Sequence, residues 1–298
     1  MVSYTLAVKK NRAILLTELS LVLAAVFWGG NYAATKFAAE TIPPLALVAF
    51  RFTAGGLLLF GLLRLFEPAS RLKREDLLPM VGLGCFGVGI SQVTFTFGVS
   101  LTTAANTGLI FASAPVWGLL LGYAFGLERP ARRGLLGVAL SVLGLGLIFY
   151  KGLGAEDASL LGDCLVLFSA VGVGAFTVFS MPMLERHSPL AVATYPMLFA
   201  GPLALLASSP YLLTLDWGGV GAGPWAAVAY AAVFATAYAF AAWQNGISRI
   251  GANRVLVYQY LITLTGVASG IVFFGEALGL ERIVGGVVVL VGVYLARR

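Results

Sequence analysis

The sequence predicts an all-α membrane protein in which ten transmembrane helices form two inverted five-helix repeats. The observations behind this prediction are the composition, ten apolar stretches and a weak internal repeat. Of the 298 residues, 59% are hydrophobic and only 11% are charged, whereas soluble domains carry about 25% charged residues. A soluble globule of this length would have too few charged side chains to cover its surface. The composition therefore excludes a soluble enzyme, a nucleic-acid-binding module and a disordered protein.

Ten stretches approach the length of about 20 apolar residues that a helix needs to cross the hydrocarbon layer of a lipid bilayer. They are residues 14–36, 44–66, 77–98, 103–123, 131–150, 160–184, 189–208, 222–246, 252–274 and 282–297. The connections between these stretches are short. The sequence therefore predicts a protein embedded in the bilayer, with no separate soluble domain.

The basic residues are distributed unevenly between the two sides of the predicted bundle. If the N-terminus is cytoplasmic, fifteen Lys and Arg residues fall on the cytoplasmic side, and only Lys36, Lys151 and Arg282 fall on the other. Cytoplasmic loops of multi-pass membrane proteins carry such an excess. The sequence therefore predicts a protein of the cell inner membrane with both termini in the cytoplasm. The net charge of +6 is explained in this way without a nucleic-acid partner.

A weak internal repeat divides the chain into two halves. Asn106 and Asn253, each preceded by alanine, lie 147 residues apart. After a one-residue gap the separation is 148 residues for three further pairs, namely Glu128 and Glu276, Gly137 and Gly285, and Gly144 and Gly292. The predicted halves, residues 1–151 and 152–298, together form one transmembrane domain. Because five spans is an odd number, the second half must be inverted, as in many transporters. The alternative is a chance match among 37 glycines.

The first two spans carry the motif that relates this sequence to a known family. It consists of Trp28, Gly29 and Gly30, followed by Lys36, Pro43, Pro44 and Arg51. The sequence here resembles the drug/metabolite transporter superfamily, and within it the ten-span EamA-type exporters, most closely amino-acid exporters of the YddG type. The resemblance covers essentially the whole chain. It implies export of small metabolites, amino acids including aromatic ones in particular, by alternating access around a central cavity.

The second half departs from this motif. When Pro189 is aligned with Pro43, Lys36 falls opposite Pro182 and Arg51 falls opposite Met197. The two halves are therefore expected to differ in function at these positions.

Polar and aromatic residues within the spans predict a substrate cavity. An amide group exposed to lipid would lack hydrogen-bond partners, so such residues are expected to face the bundle interior. The candidate cavity residues are Trp28, Asn31, Arg51, Gln92, Phe95, Thr96, Tyr195, Tyr238, Trp243, Tyr258 and Gln259. The alternative for each amide is a hydrogen bond that only joins two helices. Such a cavity suits a small polar solute with an apolar portion.

The two basic residues of the motif have two interpretations, since a cation in hydrocarbon costs at least about 2.5 kcal/mol. For Lys36 we favour the interpretation in which the side chain extends to the lipid headgroups. For Arg51 that interpretation and a second one are equally supported. In the second, Arg51 faces the cavity or an extracellular gate and attracts a carboxylate.

Glycines and prolines within the spans are candidate hinges for alternating access. Adjacent glycines weaken a helix by about 1 kcal/mol each, and prolines free backbone carbonyl groups. The candidates are Gly29, Gly30, Pro115 and Pro182. The alternative is close packing at the glycines and local kinks at the prolines.

No pattern in the sequence predicts a cofactor, a metal site or an enzyme active site. The cysteines, Cys85 and Cys164, lie in apolar stretches, and His187 is the single histidine. A phosphate-binding loop and a catalytic triad are both missing. Only Glu18 and Asp163 lie within or at the start of a span, and both are near span ends, so the sequence does not support proton coupling. Three alternatives remain. They are another exporter of this architecture, such as a multidrug exporter, a passive channel, and a membrane-embedded enzyme. The oligomeric state, a monomer included, is left open.

Overall fold

The computed structural model describes residues 2–126, 132–152, 159–255 and 258–296. Within these ranges the chain forms ten long helices and no strand. They are α1 (Val2–Ala39), α2 (Pro44–Phe66), α3 (Arg74–Leu101), α4 (Ala104–Ala124), α5 (Arg132–Gly152), α6 (Leu160–Leu184), α7 (Pro189–Thr214), α8 (Ala222–Ile250), α9 (Tyr258–Phe274) and α10 (Leu280–Ala296). A short helix, Ala252–Val255, precedes α9. The all-helical fold and the ten long helices confirm that part of the sequence prediction.

The helices are those of a multi-pass membrane protein. Seven of them, α1 to α4 and α6 to α8, are long and apolar enough to cross a membrane by length and composition, α1 from Ala13 onward. Of the remaining three, α9 and α10 have 17 residues each, and the apolar part of α5 is Leu136–Ile148. Large hydrophobic side chains such as Leu65, Phe86 and Leu206 are exposed on the outside of the bundle, which is expected of surfaces that face lipid.

Three helices depart from regular α-helical geometry. A π-helical segment occupies Leu83–Ile90 in α3, and a second occupies Ala231–Tyr238 in α8. Their first residues are separated by the same 148 residues as the glycine pairs. In α4 the helix is interrupted at Ala112 and Ser113 and resumes at Ala114, one residue before Pro115. A π-helical turn loosens the regular backbone bonding and is frequent at functional sites.

Helices α5 and α10 pack closely through glycine. A Cβ atom on Gly144 would lie 2.6 Å from the carbonyl oxygen of Gly285, and one on Gly292 would lie 2.6 Å from that of Gly137. Between these two contacts the Ser141 hydroxyl donates to the Val289 carbonyl oxygen at 3.3 Å. The order of these contacts makes the two helices antiparallel.

The paired glycines of α1 also lie at a close helix contact. A Cβ atom on Gly29 would collide with Oγ1 of Thr265, and one on Gly30 would lie 2.8 Å from the Tyr230 hydroxyl. The Ser269 hydroxyl of α9 donates to the Gly29 carbonyl oxygen at 3.1 Å. Helix α1 continues without a break through both glycines, and α6 continues through Pro182. The hinge role of these residues stays a prediction.

The bundle has two ends, which we name after a charged residue at each. Helix α1 finishes at the Lys36 end, where the chain turns into α2, and α2 finishes at the Asp76 end, where α3 begins. Helix α9 runs parallel to α1, and α10 returns from the Lys36 end. The start of α1 and the end of α10 therefore lie at the same end of the bundle, the Asp76 end.

Part of the repeat alignment falls outside what the structure describes. Glu128, the expected counterpart of Glu276, lies outside the described residues, and so does the side chain of Asn253.

A matched pair of substitutions tests the α5–α10 contact. Gly144→Ala places a methyl group against the backbone of α10, and such overpacking costs about 1–3 kcal/mol. Gly146 lies on the same helix with no atom within 4 Å of an added Cβ. Gly146→Ala is therefore expected to keep or slightly raise the melting temperature, since alanine favours a helix over glycine by about 1 kcal/mol. Thermal unfolding of both variants in detergent checks this, and equal melting temperatures would contradict the close contact.

Candidate functional site

A cavity of about 650 Å³ lies in the middle of the bundle. Seven helices, α1 to α4, α6, α8 and α9, contribute to its wall. The lining residues are Trp28, Asn31, Tyr32, Arg51, Gly87, Gln92, Phe95, Phe111, Val173, Phe176, Thr177, Phe240, Trp243, Gln259 and Ile262. The cavity thus lies between the first and second halves of the chain.

Two groups of aromatic rings form much of this wall. In the first, the Trp28 ring lies 5.0 Å from Trp243 and 5.4 Å from Phe240, measured between ring centroids. Its indole N–H donates to the carbonyl oxygen of Ala235 at 2.7 Å, within the π-helical segment of α8. In the second group, Tyr32, Phe95 and Phe111 lie 5.5–6.0 Å apart. The hydrogen bond and the ring contacts hold these faces in fixed orientations.

The polar groups of the wall are few. Arg51 donates from Nε to the Thr236 hydroxyl at 2.8 Å, and from a terminal nitrogen to Oε1 of Gln92 at 3.4 Å. Gln259 donates to the carbonyl oxygen of Phe111 at 3.4 Å. The Asn31 side-chain oxygen has no hydrogen-bond partner among the described residues. A solute in the cavity would therefore meet one cation, three amides and mostly apolar surface.

The structure brings seven of the eleven candidate residues together in this cavity. They are Trp28, Asn31, Arg51, Gln92, Phe95, Trp243 and Gln259. Thr96 lines a smaller pocket of about 260 Å³ that also includes Arg51.

The three tyrosines that sequence analysis added do not line the described cavity. The Tyr195 hydroxyl donates to the Ser70 carbonyl oxygen at 3.4 Å, near the Asp76 end. The Tyr238 hydroxyl donates to the Ser20 carbonyl oxygen at 3.3 Å, and its ring packs against Phe27. Tyr258 lies half-buried at the start of α9. Helix rotation determines which side chains reach the cavity, and composition carries no information on rotation.

Sequence analysis missed the other members of the wall. These residues are Tyr32, Gly87, Phe111, Val173, Phe176, Thr177, Phe240 and Ile262. Most are apolar and look the same in sequence as residues that face lipid. The available signal was spacing, since Phe240 lies three residues before Trp243 and shares its helix face.

A buried charged cluster joins the two halves at the Asp76 end. Asp76 is fully buried, forms an ion pair with Arg186 at 2.6 Å and lies 2.8 Å from Nε2 of His187. Ser188 donates to the carboxylate of Glu67 nearby. The predicted third span begins at residue 77, directly after Asp76. In the structure α3 begins at Arg74, and Asp76 is buried.

A second charged cluster joins the halves at the Lys36 end. The Glu276 carboxylate accepts from the backbone N–H groups of Ala104 and Ala105 at 2.9 and 2.7 Å, and pairs with Lys36 at 3.0 Å. Lys36 also donates to the carbonyl oxygen of Thr102 at 2.9 Å. The interpretation in which Lys36 extends to the headgroups is therefore wrong, because Glu276 offers it a closer charged partner.

Asp163 extends the polar network at this end. It is fully buried at the first turn of α6 and accepts from the Thr102 hydroxyl at 2.7 Å and from the Asn106 amide. Within the described ranges, no group of three or more His, Cys, Asp or Glu side chains is arranged to hold a metal ion.

Comparison with known sequences identifies the family. The sequence model of the EamA-like transporter family matches residues 15–150 and matches again over residues 160–298. The chain belongs to the EamA-like transporter family. The resemblance seen in the first two spans is thereby confirmed, and this EamA-like protein is a membrane transporter.

Several relatives align with this EamA-like transporter over nearly its whole length. An uncharacterized transporter of Archaeoglobus fulgidus is 25% identical and covers 93% of this chain and 97% of its own. A probable terminal-alkyne amino-acid exporter of Streptantibioticus cattleyicolor is 28% identical, with coverages of 94% and 92%. A probable amino-acid metabolite efflux pump of Salmonella typhimurium is 24% identical and covers 92% of each chain.

A solved crystal structure has the same fold as this EamA-like transporter. Its TM-score is 0.66, and the match covers 93% of this chain and 94% of the other at 18% sequence identity. This likeness establishes the architecture of the bundle.

Gln92 is the amide whose role is most directly testable. Gln92→Leu removes a hydrogen bond to a charged group, worth about 1.5–3 kcal/mol, and is expected to weaken transport affinity by roughly tenfold. The matched control is Thr94→Val on the same helix, because the Thr94 hydroxyl bonds only to its own helix backbone. Melting temperature and transport affinity are measured on both variants. A loss of stability in Gln92→Leu with unchanged affinity would make this residue a helix contact only.

Proposed function

We propose that this transporter exports small metabolites, amino acids including aromatic ones in particular, by alternating access around the central cavity. The observation that carries the proposal is the cavity itself, in which aromatic faces surround one buried arginine and three amides. A polar end and an apolar body, such as those of an amino acid, match this wall. Two relatives named as amino-acid exporters or efflux pumps support the same substrate class.

We infer further that the halves, residues 1–151 and 152–298, are inverted repeats. The family model matches the chain twice, once in each half. The π-helical segments start at positions separated by the repeat interval. In the α5–α10 contact, Gly144 lies against Gly285, which is the counterpart of Gly137. Gly137 lies against Gly292, which is the counterpart of Gly144. Such reciprocal contacts are what a two-fold axis between the halves produces.

Alternating access requires that the two ends of the bundle open at different times. The Asp76 cluster joins α3 of the first half to the α6–α7 connection of the second. The Glu276 cluster joins α1 and α4 of the first half to the residues after α9 in the second. Each cluster thus holds one half against the other at one end of the bundle. Closure of both ends by inter-half ion pairs therefore favours a transporter over a continuously open channel.

We propose that the Lys36 end faces the cell exterior, with both termini in the cytoplasm of an inner-membrane protein. The excess of Lys and Arg on the opposite side supports this orientation. The shared location of the start of α1 and the end of α10 supports termini on one side.

Flux measurements test the proposed function. Proteoliposomes containing the purified transporter are loaded with phenylalanine, and exchange with labelled phenylalanine, leucine and lysine is followed with and without a pH gradient. We expect saturable exchange of phenylalanine and leucine. Linear, non-saturable flux would indicate a channel, and no flux of any amino acid would contradict the substrate class. Protein-free liposomes are the control.

Cysteine labelling tests the orientation. Lys73→Cys at the Asp76 end and Gly221→Cys at the Lys36 end are made in a background with Cys85 and Cys164 replaced by serine. Both positions are exposed. A membrane-impermeant maleimide added to whole cells should label position 221 and miss position 73 until the cells are opened. The reverse pattern would overturn the orientation.

A further inference from the structure

Arg51 is a buried cation with no counter-ion among the residues that the structure describes. Its side chain is 5% exposed, and its hydrogen-bond partners, the Thr236 hydroxyl and the Gln92 amide oxygen, are both neutral. The ring of Phe52 lies 4.9 Å from the guanidinium carbon. In the part of the chain that the structure describes, no ion pair includes Arg51. A guanidinium has five N–H donors, so this buried charge keeps bonding capacity that the protein does not use.

Basic side chains toward the two ends of the bundle have carboxylate neighbours, including the buried Arg282, which interacts with the charge of Asp163. Lys36 pairs with Glu276, and Arg186 and His187 pair with Asp76. Burying a charge is costly unless it is paired. The contrast indicates that the partner of Arg51 is a molecule other than the protein.

The position of Arg51 fits such a partner. Its side chain lines both the central cavity and the smaller pocket, which lies toward the Lys36 end between α1, α2, α3 and α8. Arg51 is the residue that the two pockets share. A solute that moves from the cavity toward the Lys36 end would therefore pass this guanidinium.

We propose that Arg51 binds the carboxylate of the transported solute, so that the transporter selects organic anions and zwitterions with an apolar body over amines that lack a carboxylate. This inference rests on the proposed function and names the feature of the substrate that the site recognises. The planar fork of arginine matches a carboxylate with two parallel hydrogen bonds. Among the lining residues there is no Asp or Glu to attract a cation.

A zwitterion also needs a partner for its ammonium group. The Asn31 side-chain oxygen lines the same cavity and accepts no hydrogen bond from the described residues. A buried acceptor without a donor costs about 1–3 kcal/mol. An ammonium group bound there would remove this cost. The aromatic faces of Trp28 and Trp243 would then cover the apolar body of the solute.

A ligand series on the unmodified transporter tests the inference first. Binding of 3-phenylpropionate, phenylalanine, phenylalanine amide and phenethylamine is measured by calorimetry in detergent. We expect both carboxylates to bind at least tenfold more tightly than the amide and the amine. Binding of the amine or the amide as tightly as phenylalanine would overturn the carboxylate site. This arm needs no variant to fold.

Substitutions then assign the preference to Arg51. Arg51→Gln should abolish the tenfold preference for carboxylates, and Arg51→Lys should keep the preference with weaker binding, because the charge remains and the fork is lost. The matched control is Arg64→Gln on the same helix, where the side chain is exposed; it should leave the series unchanged. Retention of the full preference in a folded Arg51→Gln variant would overturn the assignment.

The same ligands separate the two ends of a zwitterion. Asn31→Ala should weaken the binding of phenylalanine and leave that of 3-phenylpropionate unchanged, because only phenylalanine carries an ammonium group. Equal weakening of both ligands would remove Asn31 from the site.

The outcomes for this inference and for the proposed function are distinct. If carboxylates bind in the expected order but no amino acid is exchanged in proteoliposomes, the substrate class is wrong and the carboxylate site stands. If amino acids are exchanged while phenethylamine and phenylalanine bind equally, the exporter function stands and the carboxylate site is wrong.

Discussion

The structure depends on one constraint, the lack of water as a hydrogen-bond partner in the membrane interior. Backbone groups there must be satisfied within a helix, and polar side chains must find partners inside the bundle. The first requirement accounts for ten helices and for the absence of strands from the described ranges. The second accounts for the inward positions of Arg51, Gln92 and Gln259. Hydrophobic burial does little to hold helices together in lipid, so the helices approach through glycine, as in the contact of Gly144 with α10.

Charged side chains are buried at both ends and in the middle of the bundle, and their partners differ between these three places. At the two ends of the bundle, carboxylates are satisfied by the protein itself, Asp76 by two basic side chains and Glu276 by Lys36 and two backbone N–H groups. In the middle, Arg51 is bonded only to neutral groups. The satisfied charges close the ends and the unsatisfied one faces the cavity. This distribution is the electrostatic arrangement expected of a carrier, in which the ion pairs at the ends break and re-form while the central site binds a solute.

The two π-helical segments lie next to the central cavity. The π-helical segment of α8 supplies the Ala235 carbonyl oxygen to the Trp28 indole and the Thr236 hydroxyl to Arg51. The equivalent segment of α3 contributes Gly87 to the wall. Loosened backbone in a long transmembrane helix re-aims side chains and carbonyl groups toward a cavity, and neither segment contains a proline that would have marked it in sequence. The prolines at 115 and 182 instead mark the end of a helix break and the last turn of a continuous helix.

The sequence by itself determined the class of the molecule, the number of helices and their approximate bounds, because hydropathy is a local property that each segment carries alone. The polar residues within the spans also predicted most of the polar members of the cavity, because lipid offers an amide group no hydrogen-bond partner. Only the tertiary structure decided that Lys36 pairs with Glu276, that Asp76 is buried, and that Tyr195 and Tyr238 turn away from the wall. These outcomes depend on how each helix is rotated and which helix it meets. Rotation and pairing result from the packing of all ten helices together, and no single segment encodes them.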